Sequence, residues 1–101
     1  MTTYYFTLAT RTFLLEEEPV EEILRERSNF YHANNLAIDF WLIPNFEPSI
    51  FPNLGLSSTL MEQNLAAIVS TNPLFIDWLK LRLQYVVNGV FEVEDISFII
   101  Q

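Results

Sequence analysis

The chain has no cysteine, only two glycines and only five basic residues among its 101. Without cysteine there are no disulfides, no thiolate metal sites and no cysteine nucleophile. Two glycines, Gly55 and Gly89, cannot build the glycine-rich loop that cradles a phosphate. Five Lys and Arg against thirteen Asp and Glu give a net charge of −8. That balance argues against a nucleic-acid partner, whose capture depends on cations neutralising backbone phosphates. It equally disfavours an anionic membrane surface. No charge-free run approaches the roughly 18 apolar residues of a membrane span. The segment Met1–Ala9 lacks the basic start and long apolar stretch of a secretory signal. The sequence therefore reads as a soluble, intracellular chain without direct membrane insertion.

What is present is apolar. Half of the residues are hydrophobic and 15% are aromatic, enough to exclude global disorder and to fill one core. The length is that of a single domain, 1–101.

Thr3–Ala9 alternates, with Tyr4, Phe6 and Leu8 on one face, and predicts a first strand. Glu16-Glu17-Glu18-Pro19 reads as the opening of a helix, acidic residues sitting at the positive end of its dipole. Val20, Ile23, Leu24, Phe30 and Tyr31 continue it at helical spacing to about Ala33, and Asn34-Asn35 stops it. Ala37–Ile43 predicts an apolar, central second strand. Pro44–Ser58, with three prolines and Gly55, reads as a long irregular loop, and Leu60–Asn64 as a helical turn. Ala66–Ser70 is the third strand. Asn72-Pro73 is a helix start, N-cap followed by proline at the first helical position. That helix is expected to reach Asn88 and stop at Gly89, with Phe91–Ile100 as a last strand interrupted near Glu94-Asp95. The expected class is α+β: two main helices on a predominantly antiparallel four-stranded sheet, in the βαββαβ order of ferredoxin-like folds.

The residues that break these patterns carry the functional signal. Arg82 falls among Phe75, Trp78, Leu79, Tyr85 and Val86 on its helix, and Arg27 falls within the apolar stripe of the first helix. An arginine so placed needs a partner group, a route to water or a protein surface. Asp39 is the ionisable residue of the second strand, placed by alternation on the face of Ala37, Trp41 and Ile43. Three readings compete for it: an ion pair with Arg82 or Arg27, a partner-binding patch with neighbouring aromatics, and a catalytic carboxylate. The single histidine, His32, lies near a helix C-terminus, where a cation is favourable. No HExxH or Glu-x-x-His spacing exists, so no metal site is expected. The serine and threonine clusters at 57–59 and 70–71 have no base near them in sequence and read as turn and cap residues. Neither an enzyme nor a cofactor-dependent protein is indicated.

Several segments together carry a family resemblance. They are Met1-Thr2-Thr3-Tyr4-Tyr5, Phe13-Leu14-Leu15-Glu16-Glu17-Glu18-Pro19, Leu24-Arg25-Glu26-Arg27, Ile38-Asp39-Phe40-Trp41-Leu42 and Ala67-Ile68-Val69-Ser70-Thr71-Asn72-Pro73. With Phe75-Ile76, Trp78-Leu79-Lys80-Leu81-Arg82-Leu83 and Tyr85-Val86, they resemble a family of small cyanobacterial and plastid proteins. That family is the accessory protein of the magnesium-protoporphyrin IX monomethyl ester oxidative cyclase of chlorophyll synthesis. The resemblance implies a non-catalytic assembly factor that binds the di-iron catalytic subunit and supports its accumulation and protochlorophyllide formation. It implies residence in the cyanobacterial cytoplasm or plastid stroma, peripherally at the thylakoid through that partner. It also implies that the partner-binding residues are Asp39, Phe40 and Arg82, two of which are the pattern-breakers above. That coincidence favours an exposed patch in which Asp39 and Arg82 need not touch. Asp77 stands where the family more usually has a base, and Pro44–Leu65 matches poorly. A tetrapyrrole-binding carrier of the same pathway is the alternative function, and a homodimer through a strand edge stays open.

Overall fold

The N-terminal alternation becomes β1 (Thr2–Thr10) in the computed structural model, which describes residues 2–48, 54, 56, 60, 62–94 and 96–98. A short π-helical turn (Phe13–Glu17) follows, and the first long helix, α1, runs Val20–Ala33. The glutamate run is thus not the helix opening: Glu18 is extended, Pro19 is the N-cap, and Glu21 and Glu22 occupy the acidic first turn. The second strand, β2, is Phe40–Phe46, three residues later than the expected start, so Ala37, Ile38 and Asp39 precede the pleat. Strand β3 is Leu65–Ser70 and helix α2 is Pro73–Leu83. Asn72 caps α2 as expected, its Oδ1 accepting from the amides of Leu74 (3.0 Å) and Phe75 (3.4 Å).

The end of α2 differs from the expectation. The helix stops at Leu83 because Gln84 takes a left-handed φ of 67°, and its amide donates to Lys80 O at 2.8 Å. Residues Val87–Val93 then form β4, earlier than the predicted last strand. Gly89 accordingly caps nothing. It lies opposite Phe6 in the β1–β4 ladder, where a Cβ would come within 2.7 Å of Phe6 Cε2. The glycine is there because an aromatic ring covers its backbone. The chain bends at Glu94 and closes with a 3₁₀ turn at Ile96–Phe98; Asp95 and the expected strand end at 99–100 lie outside the described residues. So does most of the expected loop, at 49–53, 55, 57 and 58, together with Thr59 and with Met61 of the expected helical turn.

The sheet order is β2-β3-β1-β4 and every neighbouring pair is antiparallel. Strands β1 and β2 therefore run the same way with β3 inserted between them, the split βαβ arrangement of the ferredoxin-like order. Both faces of the sheet are covered. On one, Ala9, Phe40, Ala66 and Ile68 pack against Leu24 and Tyr31 of α1 and Phe75, Ile76, Leu79 and Leu83 of α2. On the other, Tyr4, Phe6, Leu8, Ile43, Phe46, Ala67, Val69 and Phe91 pack with Ile96, Leu54, Leu56 and Leu60. This two-sided burial explains why Leu65–Ser70 is buried at every position rather than alternating. A register shift between Ile43 and Phe46 admits Pro44 and Asn45 and keeps Phe46 on the second face.

Candidate functional site

Helices α1 and α2 lie side by side on the sheet and leave a groove of about 750 Å³ between them. One wall is the α1 stripe Glu22, Ile23, Glu26, Arg27 and Phe30, which recurs at three- and four-residue spacing and so shares one helix face. The other is the α2 stripe Leu74, Phe75, Trp78 and Arg82. Of the five aromatic and aliphatic residues on these walls Phe75 is buried and Ile23 partly so; Leu74 is 76% exposed, Phe30 59% and Trp78 48%. Large apolar side chains gathered in a concave, solvent-open surface mark an interaction site far more often than isolated ones do.

Arg27 forms the floor. Its guanidinium carbon stands 3.8 Å from the centre of the Phe75 ring and 5.7 Å from that of Phe40. Such stacking holds a cation against aromatic carbon with about 0.5–2 kcal/mol of attraction, depending on desolvation. One terminal nitrogen donates to the Tyr31 hydroxyl at 3.0 Å, and that hydroxyl donates to Asp39 Oδ1 at 2.9 Å. Arg27 Nε is sealed from solvent without an acceptor among the described residues. Burial, and then the hydrogen bond to the Asp39 carboxylate, raise the Tyr31 hydroxyl above its ordinary pKa near 10.0; the nearby Arg27 charge pulls the other way.

Asp39 is fixed at both ends. Its carbonyl accepts from Ser70 Oγ (2.8 Å) and from the Thr71 amide (3.1 Å), tying the entry of β2 to the end of β3. Its carboxylate turns to Tyr31 on α1. The alternation argument placed Asp39 with Trp41 and Ile43, on the face opposite the helices. That placement fails because the pleat begins only at Phe40, leaving Asp39 free to turn toward α1. Nor is Asp39 paired directly with an arginine: the Tyr31 hydroxyl stands between it and Arg27. Phe40 is 5% exposed and packs edge-on against Tyr31 (5.4 Å) and Phe75 (5.6 Å), so it supports the groove from beneath. Arg82 is at the groove itself, about half exposed, with Glu18 Oε2 at 4.0 Å as its ion-pair neighbour.

The three residues singled out in the sequence thus occupy different depths. Arg82 is at the surface, while Phe40 and Asp39 act behind it through Phe75 and through Tyr31 and Arg27. Tyr31, Phe30, Leu74 and Trp78 were not singled out as site residues. The signal for Trp78 was present in the Phe75-Trp78-Arg82-Tyr85 row, an apolar helix face interrupted by an arginine. Tyr85 escapes burial because it lies beyond the end of α2; it is 80% exposed and touches Phe13 edge-on at 6.3 Å. Among the described residues no three His, Asp or Glu side chains are grouped to hold a metal ion, and no helix is long and apolar enough to cross a membrane.

Comparison with known proteins places this architecture. The family model described as Ycf54 protein matches residues 2–93. A ycf54 protein of Pyropia yezoensis, itself described as uncharacterised, is 55% identical over 94 residues, which cover 91% of this chain and 83% of the relative. The solved structure of the Ycf54 protein from Synechocystis superposes with a TM-score of 0.87 at 42% identity, covering all of this chain and 96% of that one. A chloroplastic Ycf54 protein of Arabidopsis thaliana is 35% identical over 97 residues, 95% of this chain and 45% of that longer relative. The four-stranded antiparallel sheet, the two helices and the near-complete match of sequence have one conclusion: the chain belongs to the Ycf54 family.

Proposed function

We propose that this protein is a non-catalytic accessory factor of the aerobic magnesium-protoporphyrin IX monomethyl ester cyclase. It binds the di-iron catalytic subunit, supports its accumulation and so promotes protochlorophyllide formation. The observation that carries this reading is the groove between α1 and α2, where Leu74, Phe30 and Trp78 stand exposed beside a half-exposed Arg82. Tryptophan and arginine are the side chains most enriched at binding hot spots. Among the described residues the ion-pair neighbour of Arg82 is Glu18, at 4.0 Å and partly exposed, so a partner can engage Arg82 at little cost to the fold. The cyanobacterial and chloroplastic relatives agree with residence beside photosynthetic membranes, reached through the partner.

The test is affinity capture of the catalytic subunit by tagged wild-type and Arg82→Ala protein, after circular dichroism has shown both to be folded. Capture by wild type and its loss in the folded variant supports the reading. Absence of capture by wild type defeats it. A tetrapyrrole-carrier role is the second reading, favoured by a cavity within the size range of small-molecule sites and by the stacked rings of Phe75 and Trp78, 6.2 Å apart. Titration with magnesium-protoporphyrin IX monomethyl ester decides it: no saturable optical change at micromolar concentration removes the carrier.

A further inference from the structure

The groove's charges say what kind of segment it accepts. The chain carries five cations against thirteen acids, yet two of those five, Arg27 and Arg82, line this single groove, with Glu22 and Glu26 on its α1 wall. The groove is therefore locally balanced on a strongly acidic protein, with its cations at the floor and the α2 wall and its anions on the opposite wall. Arg27 is also held ready. It is stacked on Phe75, oriented by Tyr31, and left with Nε facing no acceptor among the described residues. The Arg27 side chain lines the groove, so a carboxylate that enters it meets a cation already held in place and can form a charge-assisted bond with the guanidinium.

We propose that the groove receives an apolar segment of the protein partner that carries one carboxylate, which pairs with Arg27 and Arg82, flanked by basic side chains that face Glu22 and Glu26. Phe30, Leu74 and Trp78 close over the segment's apolar side chains. Asp39 does not touch the partner; it is a positioning residue that orients Arg27 through the Tyr31 hydroxyl. Removing Asp39 frees Tyr31 to rotate its proton and Arg27 to swing away from Phe75, so the effect on binding passes through a chain of two hydrogen bonds. The inference rests on the proposed association with the catalytic subunit and adds where and by what chemistry that subunit is held.

The experiment measures affinity for the isolated catalytic subunit as a function of salt, using wild type, Arg27→Gln, Arg27→Lys, Trp78→Ala and Tyr31→Phe. Val90→Lys, on the exposed edge strand β4 away from the groove, is the control. Loss of roughly tenfold or more in Arg27→Gln and Trp78→Ala is expected, with Arg27→Lys recovering part of it. The dependence on salt should be weaker in Arg27→Gln than in wild type, because one charge pair is gone. Tyr31→Phe should lose affinity without losing salt dependence, which a purely structural role for Tyr31 would not produce in a folded variant. If wild type binds and the groove variants bind equally, the inference is overturned while the accessory function stands. If wild type fails to bind, both fall. Saturable binding of the magnesium tetrapyrrole, or self-association in analytical ultracentrifugation that Trp78→Ala abolishes, would give the groove to a different occupant and overturn the proposal.

Discussion

The two faces of the sheet are both buried, but they are buried by different chemistry. Away from the helices, Phe6 packs against Phe46 and Phe91 (5.6 and 6.0 Å), Tyr4 stacks on Phe91 at 5.6 Å, and Gly89 makes room for the Phe6 ring. Beneath the helices the aromatic rings of Tyr31, Phe40 and Phe75 surround an arginine, and a hydrogen-bonded carboxylate completes the cluster. The first face is a hydrocarbon seal whose content is stability. The second includes polar groups that a seal does not need, and they lie directly under the exposed groove. Arg27 and Asp39 are only partly buried, so they join the core beneath the helices to the open groove.

If the two faces differ in this way, substitutions on the seal should act on folding and substitutions under the groove on binding. The largest effect on stability is expected from Phe6→Ala. Phe6 is fully buried, and truncating a buried phenylalanine costs about 3–5 kcal/mol. Urea denaturation measures it, and partner affinity of whatever fraction remains folded should be unchanged. Gly89→Ala comes next. Its added Cβ meets the Phe6 ring rather than a flexible side-chain end, and overpacking of this kind costs about 1–3 kcal/mol. A Gly89→Ala protein as stable as wild type would show that the seal has slack, and the contrast between the faces would weaken.

Under the helices the same measurement should give a loss below that of Phe6→Ala, and one with a pH signature. Tyr31→Phe removes a donor from Asp39 and an acceptor from Arg27, a loss of about 1–3 kcal/mol. The Tyr31 pKa is raised in the folded state, so folding favours the protonated hydroxyl. Its contribution is complete below the unfolded value near 10 and is lost as pH rises through the folded one. Stability measured across the alkaline range should therefore fall in wild type with a component that Tyr31→Phe lacks. Identical alkaline profiles would remove Tyr31 from the linkage.

How much of this was legible beforehand follows the range of each signal. The strand at Thr3–Ala9, the cap at Asn72-Pro73 and the third strand at Ala66–Ser70 rest on local pattern and side-chain chemistry, and all three stand. The end of α2 does not, because nothing in the residue type Gln84 announces a left-handed φ, whereas Gly89 offered a more familiar stop that the sheet uses to admit Phe6. Asp39 and Arg27 were recognisable as charges out of place. A direct ion pair between them was one of the readings, but the actual link runs through Tyr31, whose hydroxyl looks in sequence like one more apolar position of α1. The exposure of Trp78 and Leu74 depends on how closely α1 approaches α2, a tertiary distance with no local record.

The smallest expected stability change belongs to Arg82, and it separates the two faces most sharply. Among the described residues its ion-pair contact is with Glu18 at 4.0 Å, with 47% of the arginine side chain exposed. Exposed pairs of that kind contribute about 0–1 kcal/mol, and surface substitutions commonly stay within about 0.5 kcal/mol. Arg82→Ala should thus unfold at nearly the wild-type urea midpoint while losing much of its affinity for the partner. Stability and binding would then be carried by different residues: Phe6 and Gly89 for one, Arg82 and Arg27 for the other. A destabilisation of Arg82→Ala comparable to that of Tyr31→Phe would mean instead that Arg82 helps to close α2 onto the Glu18 segment. The groove would then owe its shape to the same residue that was thought only to line it, and the division between seal and site would have to be drawn elsewhere.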